Sequence, residues 1–331
     1  LGETVSHSPN PSTSTPESVT PTRLSGAQRR AQFWGRVKQD RAVLLLAVPG
    51  SIIFILFAYL PLLGNVIAFQ DYLPFIGIAE SPFVGFANFA QLGNDPAFWN
   101  AVKNTIVITA VQLVFFFPLP IALALLIHSI MSERLRRFVQ SVVYLPHFIS
   151  WVIIVALFQQ MLGETGPGGQ FFAAIGQEQF RPLSDPDFFK WLVTIQMIWK
   201  DAGWAAIIFL AALLSIDDTL YEAAAMDGAG RWQRLWHITL PGIMPVIVVL
   251  LILRLGTALS VGFEQILLQR DAVGPQAAEV LDTYVYFQGV IGGQWGVSAA
   301  AGLIKGIVGT LIVIAANSLA KRMGHRGMYS V

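Results

Sequence analysis

Residues 220–245, Leu-Tyr-Glu-Ala-Ala-Ala-Met-Asp-Gly-Ala-Gly-Arg-Trp-Gln-Arg-Leu-Trp-His-Ile-Thr-Leu-Pro-Gly-Ile-Met-Pro, form a polar island between two long hydrophobic runs. Their chemistry predicts two short helices around a turn. Ser215 followed by Asp218 fits a capping box, with Asp217 and Asp218 at the positive end of the helix. Ala223, Ala224 and Ala225 favour helix with almost no side-chain bulk, so such a helix can lie close against another surface. Gly228 suits the left-handed residue that ends a helix, and Gly230 keeps the turn free of side chain. A second short helix then presents Trp232, Leu235 and Trp236 on one face, and Leu240-Pro241 is expected to close it.

Around this island the composition is that of a polytopic membrane protein. Of 331 residues, 54% are hydrophobic and only 12% charged, with a mean hydropathy of +0.60; soluble domains carry about 25% charged residues. A net charge of +1 gives no reason to expect nucleic acid. Cysteine is absent, which excludes disulfides, thiolate catalysis and cysteine-based zinc sites.

Residues 1–27 are rich in Ser, Thr and Pro and are expected to be a disordered tail. Residues 28–41 interleave Arg29, Arg30, Arg36, Lys38 and Arg41 with Phe33 and Trp34, the pattern of an interfacial helix. Six stretches are long enough to cross a bilayer, which takes about 20 apolar residues: roughly 42–68, 104–130, 138–162, 190–214, 242–264 and 296–320. The expected organisation is an all-α transmembrane domain over 42–320, containing the 215–241 loop, followed by a tail over 321–331. Arginine and lysine concentrate before the first span, at Arg134, Arg136 and Arg137, at Arg231 and Arg234, and at Lys321, Arg322 and Arg326. The positive-inside rule therefore predicts cytoplasmic termini and a cytoplasmic 215–241 loop. Proline interrupts several spans, at Pro49, Pro61, Pro118, Pro120 and Pro146, which suits a bundle that bends or moves and also occurs in static ones. Gly302 and Gly306 form a Gly-x-x-x-Gly pair able to admit a second helix.

Charges inside apolar runs are expensive and are expected to face a cavity or one another. Lys200 and Asp201 interrupt the fourth span, Arg254 is expected midway along the fifth, Glu264 near its outer end and Lys305 in the sixth. One reading is a polar path for a solute, with Trp204 supplying an aromatic face of the kind that suits sugar rings. The other is packing, with Lys200 and Asp201 as local partners and Lys305 paired to Glu264. If the path reading holds, the cations Lys200 and Arg254 point to an acidic sugar such as a uronate.

The pattern Glu222-Ala223-Ala224, Asp227-Gly228-Ala229, Ile238, Leu240-Pro241 and Pro245 resembles the coupling loop of permease subunits in binding-protein-dependent ABC importers. Pro49-Gly50, Tyr59-Leu60-Pro61, Ala68 to Tyr72, Phe83-Val84-Gly85 with Asn88-Phe89, Tyr144 to Trp151 and Leu281 to Tyr286 are similar to the branch handling oligosaccharides derived from polysaccharides. The resemblance implies a six-span type I importer permease in a bacterial inner membrane. It also implies a second, different permease subunit, two ATP-binding subunits that carry ATP and Mg, and an extracytoplasmic solute-binding protein. Docking to the ATPase would fall to Glu222, Ala223, Ala224, Ala225, Asp227 and Gly228, and the substrate path to Lys200, Asp201, Trp204, Arg254 and Glu264.

The chain lacks a phosphate-cradling Gly-x-x-x-x-Gly-Lys-Ser/Thr run, so no cofactor and no ATP hydrolysis are expected on it. Neither a metal-ligand spacing among the histidines nor a Gly-x-Ser-x-Gly elbow is present, and no catalytic or metal-binding residue is expected. An ion-coupled secondary transporter or channel, using the same intramembrane charges, stands as the alternative.

Overall fold

The computed structural model describes residues 40–177 and 180–322. The expected tail over 1–27, nearly all of the interfacial helix over 28–41 and the chain beyond Arg322 lie outside the described residues. Apart from one bridge between Gln70 and Phe83, the described residues form helices and turns, so the fold is all-α.

Run length dictates most of this architecture. Among the described residues, five helices are long and apolar enough to cross a membrane: Arg41–Phe69, Pro96–His128, Phe189–Leu214, Arg231–Gly256 and Trp295–Arg322. A sixth span arises if the bent pair Glu133–Phe148 and Trp151–Ala174 is one crossing. The chain divides at Leu63 and Gly64 into two units. The first contains α1 (Arg41–Phe54), which holds Pro49 and passes through a π turn, Ile55–Tyr59, into Leu60–Leu63. The second contains α2 (Ala87–Asn94), α3 (Pro96–Phe115), α4 (Pro118–His128), α5 (Glu133–Tyr144), α6 (Trp151–Leu162), α7 (Phe189–Leu214), α8 (Asp218–Met226), α9 (Leu240–Gly256) and α10 (Trp295–Arg322).

Proline explains where the helices bend. Proline has no N–H, and its ring collides with the carbonyl four residues back. Two Leu-Pro pairs meet that constraint in the same way. Leu60 N–H donates to Ile55 O and Leu240 N–H to Leu235 O, each five residues back, so a widened π turn precedes Pro61 and Pro241. This corrects the expectation that Leu240-Pro241 ends a short helix: the helix runs on from Arg231 to Gly256. The fifth span therefore starts and stops earlier than 242–264. Arg254 falls in the last turn of α9, not at its middle, and Glu264 lies beyond the span in the short helix Phe263–Leu267.

The third span, expected over 138–162 with Pro146 as an interruption, breaks sharply at that proline. Pro146 sits in a tight 3₁₀ turn, Leu145–Phe148, after which Ile149 and Ser150 are extended. Ser150 Oγ then accepts the Ile153 N–H and starts α6, and the chain bends by 104° between the two arms. Gly203 on α7 makes room for this bend. A Cβ there would lie 2.1 Å from Val143 O, a distance no side chain tolerates.

Three buried clusters define two ends of the second unit. Ala124 and Ile127 of α4, Phe209 and Leu213 of α7 and Ile243 of α9 pack together at the end that bears the 215–241 loop. At the other end, Ile108 and Phe189 pack with Val261, Ile266 and Val280, and Phe98 and Ala101 pack with Leu281, Tyr284 and Val297. The segment between α9 and α10 is tied to α7 by buried amides. Gln265 Nε2 donates to Val193 O at 2.8 Å and to Gln196 Oε1 at 2.7 Å, while Gln196 Nε2 donates to Gln269 Oε1 at 2.9 Å. Tyr284 donates its hydroxyl to Asp95, the cap of α3, at 2.6 Å. Burial, and then that carboxylate, push the Tyr284 phenol above its ordinary pKa. A Cβ added at Gly302 or Gly306 would meet nothing within 4 Å among the described residues, so the close helix pairing that their spacing allows is not made there.

Gly203→Val is expected to destabilise the protein by about 1–3 kcal/mol or more, the usual cost of overpacking. Thermal unfolding in detergent checks this, and an unchanged midpoint would contradict the close crossing of α5 and α7.

Candidate functional site

Two sites emerge on α7, α8 and α9. The first is the loop. Asp217, not Ser215, caps α8: its Oδ1 accepts the Thr219 N–H at 2.9 Å, while Ser215 Oγ turns back to donate to Ala212 O at 2.7 Å. The expected capping box is therefore not formed, because Ser215 still belongs to the last turn of α7. The Thr219 N–H also holds the Asp217 carboxyl below its usual pKa.

The far end of α8 follows the expectation. Gly228 has φ +76°, Ala229 N–H donates to Ala224 O at 2.8 Å and Gly228 N–H to Ala225 O at 3.1 Å. These two bonds are the Schellman pair that satisfies the last carbonyls of a helix. Glu222, Ala223, Ala225, Asp227 and Gly228 are exposed and Ala224 is half-covered. Leu220, Met226, Trp232 and Trp236 are also exposed, leaving an apolar rim around a small-residue face.

Beneath that face the loop is tied to the base of α9. Gly242 lies against Ile216, whose side chain would stand 2.8 Å from an added Cβ. The Tyr221 hydroxyl reaches Thr239 Oγ1 at 3.0 Å, and Thr239 Oγ1 donates to Arg234 O at 3.3 Å. Sequence reasoning did not single out Tyr221 or Thr239. The available signal was a hydroxyl residue immediately before Leu-Pro.

The second site is the break in the third span. Lys200, only 8% exposed, donates from Nζ to His147 O at 2.8 Å and to Ile149 O at 2.5 Å, with the Trp151 ring 5.4 Å away. Asp201 Oδ1 accepts from His147 Nδ1 at 2.9 Å. The His147 imidazole stacks on the Trp204 indole with centroids 4.5 Å apart and planes within 3°. Lys200 and Asp201 are therefore not each other's partners. Each binds the break, a long way off in sequence.

Arg254 donates to Gln112 Oε1 at 2.7 Å and to Met197 Sδ at 3.6 Å, and sits over the Phe116 ring. Met197 is one turn of α7 before Asp201, which lies within electrostatic reach of Arg254. Lys200, Asp201, Trp204 and Arg254 thus occupy one neighbourhood, whereas Glu264 is exposed and stands apart. Lys305 pairs with Asp282 and not with Glu264. His147 and Gln112 were missed as site residues because neither interrupts an apolar run with a charge.

What the second site can do follows from which groups are already committed. The ammonium of Lys200 is taken up by two carbonyls. Trp204 is 45% exposed, and Asp201 and His147 keep about a quarter to a third of their side chains uncovered. An aromatic face beside a carboxylate–imidazole pair and a guanidinium suits hydroxyl-rich or carboxylated rings.

Lys200→Met is expected to leave the part-buried His147 O and Ile149 O without their donor, costing up to about 1–3 kcal/mol for each. Thermal unfolding in detergent reads this as a lowered midpoint, and a stable Lys200→Met protein would remove Lys200 as the pin of the break.

Comparison with known proteins places these features in context. Residues 115–325 match the family described as binding-protein-dependent transport system inner membrane component. The polygalacturonan/rhamnogalacturonan transport system permease protein YteP of Bacillus subtilis is 45% identical over 91% of this chain and 94% of its own length. A permease chain in the crystal structure of a bacterial ABC transporter importing the acidic polysaccharide alginate superposes with a TM-score of 0.81. It is 38% identical, over 88% of this chain and 99% of that one. A second structure of the alginate transporter, in complex with an alginate pentasaccharide-bound periplasmic protein, matches with the same score and identity.

Proposed function

The chain belongs to the family of binding-protein-dependent transport system inner membrane components, and from that premise we propose that it is the permease subunit of an ATP-driven oligosaccharide importer working by alternating access. The observation that carries this reading is α8: a short helix with an exposed Glu222, a small-residue face and an apolar rim, set directly between the two spans that carry the polar neighbourhood. Family membership removes the ground for the alternative of an ion-coupled secondary transporter.

In this reading α8 docks on an ATP-binding subunit. Glu222 is the charged contact, Ala223, Ala224 and Ala225 permit close approach, and Asp227 and Gly228 shape the turn. Closure of two ATPase subunits around ATP and Mg pushes the loop, and α7 and α9 turn against a second permease subunit. The excess of arginine at the loop supports a cytoplasmic location for it and for both termini, in a bacterial inner membrane. An extracytoplasmic solute-binding protein delivers the sugar at the opposite end, an assignment supported by the pentasaccharide-bound periplasmic protein of the alginate system.

The sugar is acidic and derived from a polysaccharide. Relatives named for polygalacturonan and for alginate support this, as does a guanidinium beside a stacked aromatic pair. Because Lys200 is committed to backbone carbonyls, Arg254 is the cation left to meet a carboxylate. Asp201, His147 and Trp204 supply the hydrogen bonds and ring face.

Glu222→Lys is expected to abolish co-purification of the ATP-binding subunits, or substrate-stimulated ATP hydrolysis, while the permease still inserts. Unchanged stimulated hydrolysis would end the docking role of Glu222. In the assembled importer, Arg254→Gln is expected to reduce uptake of oligogalacturonate about tenfold or more, the scale of a lost charge-assisted pair. Uptake of the matching neutral oligosaccharide serves as the control, and an equal effect on both would refute the acidic-sugar reading.

A further inference from the structure

Between the docking face and the spans lies a polar contact that the proposed function does not by itself require. Tyr221 precedes Glu222 on α8, so its side chain points about 100° around the helix from the docking carboxylate. Glu222 is exposed, and Tyr221 is half-buried against the base of α9. The phenol ends on Thr239, which is 6% exposed and is the last residue of the π turn Leu235–Thr239.

The direction of the two hydrogen bonds is fixed by chemistry. Arg234 O can only accept, so Thr239 spends its single proton there, and the Tyr221 hydroxyl must donate to Thr239 Oγ1. The result is one chain of donors from α8 to a backbone carbonyl of the helix that becomes α9. The same stretch is short of backbone bonds. Pro241 has no N–H for His237 O, and Pro245 has none for Pro241 O. Along the base of α9, stiffness that an ordinary helix gets from its ladder is missing, and the side-chain chain spans the gap. Around it the remaining ties are apolar, from Ile216 to Gly242 and into the cluster with Leu240 and Ile243. Apolar contacts slide at little cost, whereas a directed hydrogen-bond pair fixes orientation.

We propose that the Tyr221–Thr239 hydroxyl pair is the latch through which the loop turns α9, so that Tyr221 and Thr239 are positioning residues for transport coupling. The inference rests on the proposed docking of α8 to an ATP-binding subunit. When the loop is displaced, the latch carries the displacement to the π turn and hence to the far end of α9 near Arg254. Without it, the loop still docks and the ATPases still turn over, but the proline-softened base of α9 absorbs the movement.

The chain contains no cysteine, so a single introduced thiol is the only one to be labelled on this subunit. Ser260, exposed just beyond α9, is replaced by Cys in the assembled importer in proteoliposomes, and labelling by a membrane-impermeant maleimide is timed with and without MgATP and vanadate. The parent is expected to show a several-fold nucleotide-dependent change in labelling rate. In Tyr221→Phe and in Thr239→Val that change is expected to shrink about fivefold, the size of one hydrogen bond's net contribution, while ATP hydrolysis and co-purification of the ATP-binding subunits stay near parental values. Thr239→Ser, which keeps the hydroxyl, is expected to restore the response, and the double variant to be no worse than either single one. A parental response in both single variants, additive losses in the double variant, or failure of Thr239→Ser to rescue would overturn the latch. Failure of the docking premise reads differently: the parent itself would show no nucleotide-dependent labelling, or Glu222→Lys would co-purify with the ATP-binding subunits and hydrolyse ATP as the parent does.

Discussion

Within an apolar span, every carbonyl that loses its helical donor must find another, and that requirement shapes the irregular parts of this protein. Prolines create the vacancies. At Leu60-Pro61 and Leu240-Pro241 the chain answers by widening one turn, so the helix continues. At Leu145-Pro146 it breaks outright, and the part-buried carbonyls of His147 and Ile149 at the break are met by the ammonium of Lys200. At Pro118 it pauses: Phe116 and Phe117 both donate back to Gln112 O, and the side chain of the same Gln112 accepts from Arg254. The ammonium of Lys200 is thus spent on repairing backbone.

That repair positions the polar neighbourhood. Because Lys200 holds the break against α7, His147 is brought over Asp201 and Trp204, and the imidazole stacks where a straight third span would have carried it away. Gly203 permits the approach, since any Cβ would collide with Val143 O. The same helix, α7, continues through Phe209 and Leu213 into the loop, where Ser215 ends it and Asp217 starts α8. The polar neighbourhood and the 215–241 loop are therefore joined by one helix. The returning helix, α9, carries Pro241 and Pro245 at its base, whereas α7 contains no proline.

The segment between α9 and α10 shows the same economy at the other end. Its short helices bury no long apolar face of their own, and three glutamines, Gln196, Gln265 and Gln269, fasten it to α7 with every amide nitrogen donating. Tyr284 adds a tie to the cap of α3, and Arg270 closes on Glu279 under the Phe287 ring. Asp201, His147 and Trp204, by contrast, keep part of their side chains uncovered.

Much was legible from residue order alone. Apolar run length marked the five long helices and the bent pair, and the alanine triplet followed by Gly228 marked a short helix with a left-handed stop, because both depend only on neighbours in the chain. The placement of Lys200, Asp201 and Arg254 inside apolar runs marked them as constrained. Only the tertiary structure decided what constrains them. Hydropathy registers that Pro146 interrupts a run but not where the freed carbonyls turn, and the donor that meets His147 O lies 53 residues away. Likewise, Leu240-Pro241 read locally as a stop, whereas a π turn, Thr239 and Tyr221 together let the helix pass through it. A backbone vacancy is created locally but filled by whichever group the packing brings near, and that second half is not written in the spacing of residues.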